Sequence, residues 1–214
     1  MTRKLSKGRI VEAALALADE TGMERLTIRR LADALGVGPM SVYHYFPNKE
    51  AIIDAMVDAV FAQIALPPED EHWKPALRIR CLSVRDVLGR HRWAPPYMES
   101  RTSPGPATLR HHDAVLGCLR RGGLPNELVA HAYAIVDSYL YGFALEEAAL
   151  PAGGGEGIRE VAVEIAAAFD PEAYPHLLAF TMEHVMQPGY RFADSFEFGL
   201  DLILDGLERA AAES

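Results

Sequence analysis

Residues 27–46 read TIRRLADALGVGPMSVYHYF, and the spacing of their small, apolar and turn-forming residues decides how the whole chain is read. Thr27 is placed to cap a short helix running to Leu35, since a hydroxyl there can accept a backbone N–H that has no partner inside the helix. Ile28, Leu31, Ala32 and Leu35 recur at three- and four-residue steps and form one apolar face. Gly36 follows where a tight turn needs a residue tolerant of positive φ. Pro39 suits the first turn of a second helix running to about Tyr45, and Val37, Val42 and Phe46 supply the facing apolar groups. Ala32, Gly36 and Val42 make an A-x₃-G-x₅-V spacing, with a small residue where two helices cross, a turn, and a core residue behind it. The pattern is that of a helix-turn-helix.

Such a unit lays its second helix in the DNA major groove and sets its first across the backbone. Pro39, Met40, Ser41, Tyr43, His44 and Tyr45 populate the second helix and mix donors, acceptors and apolar groups suited to base edges and thymine methyls. Arg29 and Arg30, at the start of the first helix, are placed to reach phosphates, and one of them a guanine. Thr27, Tyr43 and Lys49 are further phosphate candidates, and the N-terminus of the helix beginning at Lys49 offers its dipole to an anion. Tyr43, His44 and Tyr45 crowd rings onto a short exposed helix, a costly choice without a partner.

The net charge of −9 over 214 residues argues against nucleic acid until its distribution is seen. Residues 1–50 carry 8 Lys/Arg and 6 Asp/Glu, a balance of +2, whereas residues 51–214 carry 13 and 24, a balance of −11. An acidic body repels DNA and leaves the basic end as the contact surface.

Working outward, every strong periodic segment reads as helix. Ile10, Ala13, Ala14, Leu17 and Ala18 mark a helix from Ser6 to Thr21 that Gly22 terminates. Asn48 caps a longer helix from Lys49 to about Ala65, and Pro67-Pro68-Glu69-Asp70-Glu71 is the domain boundary. Helices are expected at about 74–90, 107–122, 126–149, 158–168, 172–186 and 192–212. Ala94-Pro95-Pro96 and Thr102-Ser103-Pro104-Gly105-Pro106 read as turns, and Ala152-Gly153-Gly154-Gly155 as a flexible loop. The predicted fold is all-α: a three-helix DNA-binding domain over 1–48, a connecting helix over 49–66, and a larger helical effector-binding and dimerisation domain over 67–214.

Composition agrees, since Ala, Leu and Glu abound while β-branched and aromatic runs are few. The apolar runs fall short of the ~18 residues a membrane span requires. The basic segment Met1 to Arg9 lacks the apolar stretch of a signal peptide, so a cytoplasmic protein with no membrane partner is expected. Cys81 and Cys118 are too few for a disulfide framework and lack metal-ligand spacing, which makes them buried reduced thiols.

The stretch LTIRRLADALGVGPMSVYHYFPNKEAIIDAM, residues 26–56, resembles the N-terminal signature of the TetR (tetracycline repressor) family. It has the LT-x-R-x-LA opening, the LGV turn and the VY-x-YF-x-NK-x-A close. The resemblance implies that Thr27, Arg29, Ser41, Tyr43, Tyr45 and Lys49 touch DNA, while Gly38, Pro39 and Met40 set sequence preference. FEFGLDLILDGLER, residues 196–209, and VDSYLYGFALEEA, residues 136–148, are similar to the last helix and the preceding dimerisation helix of the tetracycline repressors. Those repressors hold a metal–tetracycline complex, with a metal-binding His where this chain has Tyr97 and Met98. Ala65 and Arg80 fall near other positions where a polar drug-binding side chain belongs, and Glu146 or Glu147 matches a glutamate of that site. Neither tetracycline nor a metal therefore carries over, and no cofactor is expected.

Two-fold symmetry is expected because one short recognition helix reads too few base pairs. Val129, Val136 and Leu140 on one helix, with Phe196, Leu200, Ile203, Leu204 and Leu207 on the last, are the candidate dimer face. For a small-molecule effector, Trp93, Tyr97, Met98, Tyr133, Asp137 and Tyr141 combine apolar bulk with polar tips, and Arg101 and Arg110 could meet an acidic group.

An enzyme finds no HExxH, GxSxG, phosphate-binding loop or nucleotide fingerprint. His111-His112-Asp113 is the densest titratable cluster, but adjacent helical residues point about 100° apart, so surface histidines are expected there. A helical protein-interaction module with a degenerate DNA head remains, and intact Arg29, Tyr43 and Lys49 count against it.

Overall fold

Helix α1 (Lys7–Thr21) begins where the Ser6 hydroxyl accepts the Arg9 N–H at 3.3 Å and ends at Gly22, whose φ of +83° suits a residue without Cβ. In this computed structural model, residues 4–98, 100–150, 157–167, 170 and 172–213 are described. Helices α2 (Ile28–Leu35) and α3 (Pro39–Tyr43) follow, then α4 (Lys49–Phe61), which Asn48 caps by accepting the Ala51 N–H at 2.8 Å. The body comprises α5 (Trp73–Arg90), α6 (Pro95–Met98), α7 (Pro106–Arg121), α8 (Asn126–Ala149), α9 (Gly157–Ala167), α10 (Pro175–Phe180) and α11 (Ser195–Ala212). No strand occurs among the described residues.

Three local expectations change. The Ala94-Pro95-Pro96 turn is instead the start of α6, because proline is tolerated in a helix's first turn. The helix predicted over 172–186 is shorter, with α10 passing into a π-helical turn over Thr181–Val185. The connecting helix ends at Phe61, short of Ala65. The glycine-rich loop at 152–155 lies outside the described residues.

One continuous core runs through head and body, and α4 joins them by packing on α1 at one side and α7 at the other. Ile52, Ile53, Met56, Val57, Val60 and Phe61 of α4 are all buried, so its length is gripped from both domains. Within the body α5, α7, α8 and α11 pack on one another. Gly199 allows α11 to approach α8 closely, because a Cβ there would collide with the Tyr139 hydroxyl, which donates to the Phe196 carbonyl at 2.8 Å. On the outer side Lys74 pairs with Asp205 and Glu208, and Arg78 with Glu197 and Asp201, stapling α5 to α11.

The dimer stripes need correction. Val129, Val136, Leu140, Phe196, Leu200, Leu204 and Leu207 are buried within the protomer itself, and Ile203 is half-buried. An amphipathic helix turns its more regular apolar face toward its own core, so these side chains are spent before a partner arrives. The apolar groups left outward are Phe198 (70% exposed) and Leu202 (56%) on α11, with Ile135 and Leu145 on α8. Helix α8 is long and apolar enough to cross a membrane by length and composition, but its Val129, Val136, Leu140 and Phe143 side lies in the core.

Candidate functional site

The reading unit assembles as its spacing requires. Ala32 and Val42 are fully buried, and Gly36 takes the left-handed conformation at φ 68° and ψ 34°. The Val37 N–H then reaches the Ala32 carbonyl at 3.0 Å and the Gly36 N–H the Asp33 carbonyl at 3.1 Å, closing α2 with a Schellman motif. This turn fixes the angle at which α3 leaves.

With the apolar side of α3 anchored by Val42, its other side faces water. Pro39, Met40 (69% exposed), Tyr43 (43%) and His44 are exposed and Ser41 half-buried. Arg29 and Arg30 are exposed on the first turn of α2, where the Arg30 guanidinium also donates to the Arg25 carbonyl at 3.2 Å. The Thr27 oxygen accepts the Arg30 N–H at 3.2 Å, so the hydroxyl caps α2 and keeps its proton to donate outward. Lys49, half-buried, opens α4 beside Asn48. One residue leaves the set. Helix α3 ends at Tyr43, which turns Tyr45 inward, and its hydroxyl donates to the Leu5 carbonyl at 2.9 Å. Tyr45 pins the N-terminal segment and does not join the outward face.

The proposed effector residues divide. Met98 and Arg101 line a cavity of about 170 Å³ under α4, together with Asp54, Val57, Thr108 and His112. Arg101 is not free to meet an acidic effector, since it pairs with Asp54 at 2.5 Å and Glu50 at 2.9 Å, clamping the α6–α7 loop to α4. Tyr133 bonds His112 at 2.6 Å at the cavity's back. Trp93 donates its indole N–H to Asp19 of α1 at 2.7 Å, and Tyr97 meets the Trp93 ring edge-on. Arg110 is exposed on the outer side of α7, which contradicts its assignment to the pocket.

Asp137 and Tyr141 are buried in a polar cluster that the sequence reading missed. Arg80, fully buried, donates from Nη1 to Asp137 at 2.9 Å and from Nε and Nη2 to His111 Nε2 at 3.0 and 2.8 Å. His111 is thus a buried residue, not a surface one. Its signal was the inward face of α7, where Thr108, His111, Val115 and Cys118 recur at helical spacing and are all buried. Because guanidinium only donates, His111 Nε2 accepts and the ring proton resides on Nδ1. That Nδ1–H and Asp137 Oδ2 find no hydrogen-bond partner among the described residues. The Phe61 ring, at the end of α4, lies 5.2 Å from the His111 ring. Cys81 and Cys118 are buried thiols, and burial pushes Cys81 up to about 11.

Burial, then the Arg80 charge, pushes the His111 pKa down to about 3 from 6.5. Folded His111 therefore stays neutral where the unfolded chain binds a proton, so stability is complete above pH 6.5 and is lost as pH falls toward 3. At pH 5 the loss is about 2 kcal/mol. Thermal melting between pH 7 and pH 5 should show this drop, and His111→Asn should flatten it. An equal slope in both proteins would exclude His111 as its source.

Models of known families match both parts of the chain. The description "Bacterial regulatory proteins, tetR family" covers residues 10–56, and "Tetracyclin repressor-like, C-terminal domain" covers residues 66–211. The transcriptional repressor DrrR1 of Streptomyces coeruleorubidus is 33% identical, over 98% of this chain and 79% of its own length. Tetracycline repressor protein class G of Vibrio anguillarum is 31% identical, over 98% of this chain and 96% of its own. The crystal structure of the Streptomyces coelicolor protein ActR with actinorhodin superposes with a TM-score of 0.79 at 26% identity, over 98% of this chain and 99% of that one.

Proposed function

The chain belongs to the TetR family of transcriptional regulators, with a tetracycline-repressor-like C-terminal domain, and on that premise we propose that it is a homodimeric repressor released from a palindromic operator by a small-molecule effector. Residues 1–48 form the reading head, 49–66 the connector and 67–214 the effector-binding and dimerisation body. The carrying observation is the outward face of α2 and α3, with Arg29, Met40, Tyr43 and His44 exposed on a turn that Ala32, Gly36 and Val42 fix. Thr27, Arg30, Pro39, Ser41 and Lys49 flank it. Two heads fit adjacent major grooves about 34–36 Å apart. An effector preferring another spacing releases the DNA by population shift. The family is one of regulators, so no catalytic role is assigned, and the protein acts on double-stranded DNA in the cytoplasm without a membrane partner.

The effector we infer carries neighbouring carbonyl and hydroxyl groups; the similar protein ActR was solved in complex with actinorhodin. The carbonyl would accept from His111 Nδ1–H and the hydroxyl donate to Asp137 Oδ2, two buried atoms that find no hydrogen-bond partner among the described residues. Both residues are buried, and the cavity of about 170 Å³ that His112 lines beside them is below the ~300 Å³ of a typical drug-sized site, so the body must open to admit it. Phe61, against His111, would pass that opening to α4.

The test is fluorescence anisotropy on an operator recovered from random-sequence selection, with a scrambled duplex as control. Tyr43→Ala and Lys49→Ala should each weaken operator binding about tenfold, the loss of one good contact, and Lys49→Ala should lower the salt slope by about one. The dimer should stay intact in both. Unchanged affinity in both variants would retire the DNA-reading assignment.

A further inference from the structure

Asp19 lies on α1, away from the reading face, yet its carboxylate reaches across to the body. Oδ1 is 2.8 Å from His91 Nδ1 and 2.7 Å from Trp93 Nε1, and Oδ2 is 3.0 Å from the same imidazole nitrogen. His91 is the C-cap of α5 and is buried, while Trp93 leads into α6. The other imidazole nitrogen, Nε2, is 3.0–3.2 Å from the Gln63 amide just past the end of α4. One ring therefore bonds the first helix of the head at one nitrogen and the end of the connector at the other.

The geometry of that junction matters more than its strength. Attachment through α4 alone leaves the head free to swivel about the axis of that helix. A second anchor from α1 to the α5–α6 corner removes that rotation. The indole N–H can only donate, and a carboxylate accepts from it and from the imidazole together, so the contact is directional and charge-assisted. We propose that Asp19 is a positioning residue that fixes the orientation of the reading head on the body, and so sets the half-site spacing the dimer accepts. The inference rests on the operator-binding reading above, but its test has an arm that does not.

The first arm measures the head-to-body distance within one protomer by pulsed electron spin resonance. Labels go on Asp33→Cys in the head and Arg110→Cys on α7, both exposed positions, with labelled protein diluted into unlabelled chain; the native thiols are buried. Asp19→Ala should broaden the distance distribution at least twofold, and Trp93→Phe, which keeps the ring but removes the donor, by less. The second arm compares operators of native spacing with operators one base pair longer or shorter. Wild type should prefer native spacing, and Asp19→Ala should shrink that preference at least tenfold while leaving binding to a single half-site unchanged. A merely structural role would lower melting and all affinities together without moving that ratio. An unchanged distance width in Asp19→Ala overturns the proposal, whatever the DNA result. Failure of wild type to select any operator would instead count against the repressor reading, and the distance arm still decides the role of Asp19.

Discussion

Replacing Asp137 with alanine is expected to lower the unfolding free energy by about 3–5 kcal/mol, the cost of leaving a buried charge without its partner. Arg80 is fully buried and donates to Asp137 at 2.9 Å. Burial disfavours its charge, but the nearby Asp137 carboxylate outweighs that and holds the guanidinium above its ordinary value. His111 cannot take over, because its Nε2 is already used and a neutral ring carries no counter-charge. Since a whole domain is stable by only about 5–15 kcal/mol, the variant should be close to unfolding in ordinary buffer. Urea denaturation measures it directly. The double variant Arg80→Met with Asp137→Leu should recover most of the loss, since apolar replacement of a buried pair is often neutral or better. A loss under about 1 kcal/mol in Asp137→Ala would mean that the site admits enough water to solvate Arg80 alone.

Placing a charge on the outward stripe of α11 should dissociate the dimer. Phe198 and Leu202 are 70% and 56% exposed in the protomer, one helical turn apart. Phe198→Glu or Leu202→Glu costs the protomer little, but two copies facing each other across a two-fold axis would each bury an unpaired carboxylate. Light scattering should find a monomer that melts as a folded protein, and operator affinity should fall at least about a hundredfold, since one head alone reads too few base pairs. Leu200→Glu, two residues away and fully buried, should unfold the chain instead. A Leu202→Glu protein that stays dimeric would place the subunit boundary elsewhere.

That contrast shows where the sequence was legible. Gly36, Ala32 and Val42 do one job each, set by backbone geometry and size, so their spacing alone identified the turn and the angle of α3. Helix starts were legible for the same reason, through Thr27 and Asn48, each of which accepts an N–H three residues on. The two stripes of α8 and α11 were visible too, but periodicity cannot say whether an apolar face meets its own core or a second chain. The regular stripes went inward and the sparser Phe198 and Leu202 stayed out. The Arg80–His111–Asp137 cluster was illegible for a different reason. Its members are 31 and 57 residues from Arg80, and their chemistry exists only once α5, α7 and α8 pack together. Tyr45 misled because α3 ends at Tyr43, two residues earlier than its aromatic run suggests.

The ion pairs that staple the body also shape its far field. Lys74 and Arg78 lie among Asp205, Glu208, Glu197 and Asp201, Arg85 lies against Glu147, and Arg101 against Glu50 and Asp54. Each of these cations is cancelled close at hand, so the surplus of carboxylates in residues 51–214 dominates at a distance while residues 1–50 carry a balance of +2. The protein is thus an electric dipole, with its positive end at the reading head and its negative end in the body. A polyanion exerts a torque on such a body before any contact forms, so most encounters arrive head-first and tail-first collisions are rejected without search. Raising the ionic strength shortens the reach of that torque to about one Debye length, ~8 Å near physiological salt, and the orientation is then decided only in the last layers of water.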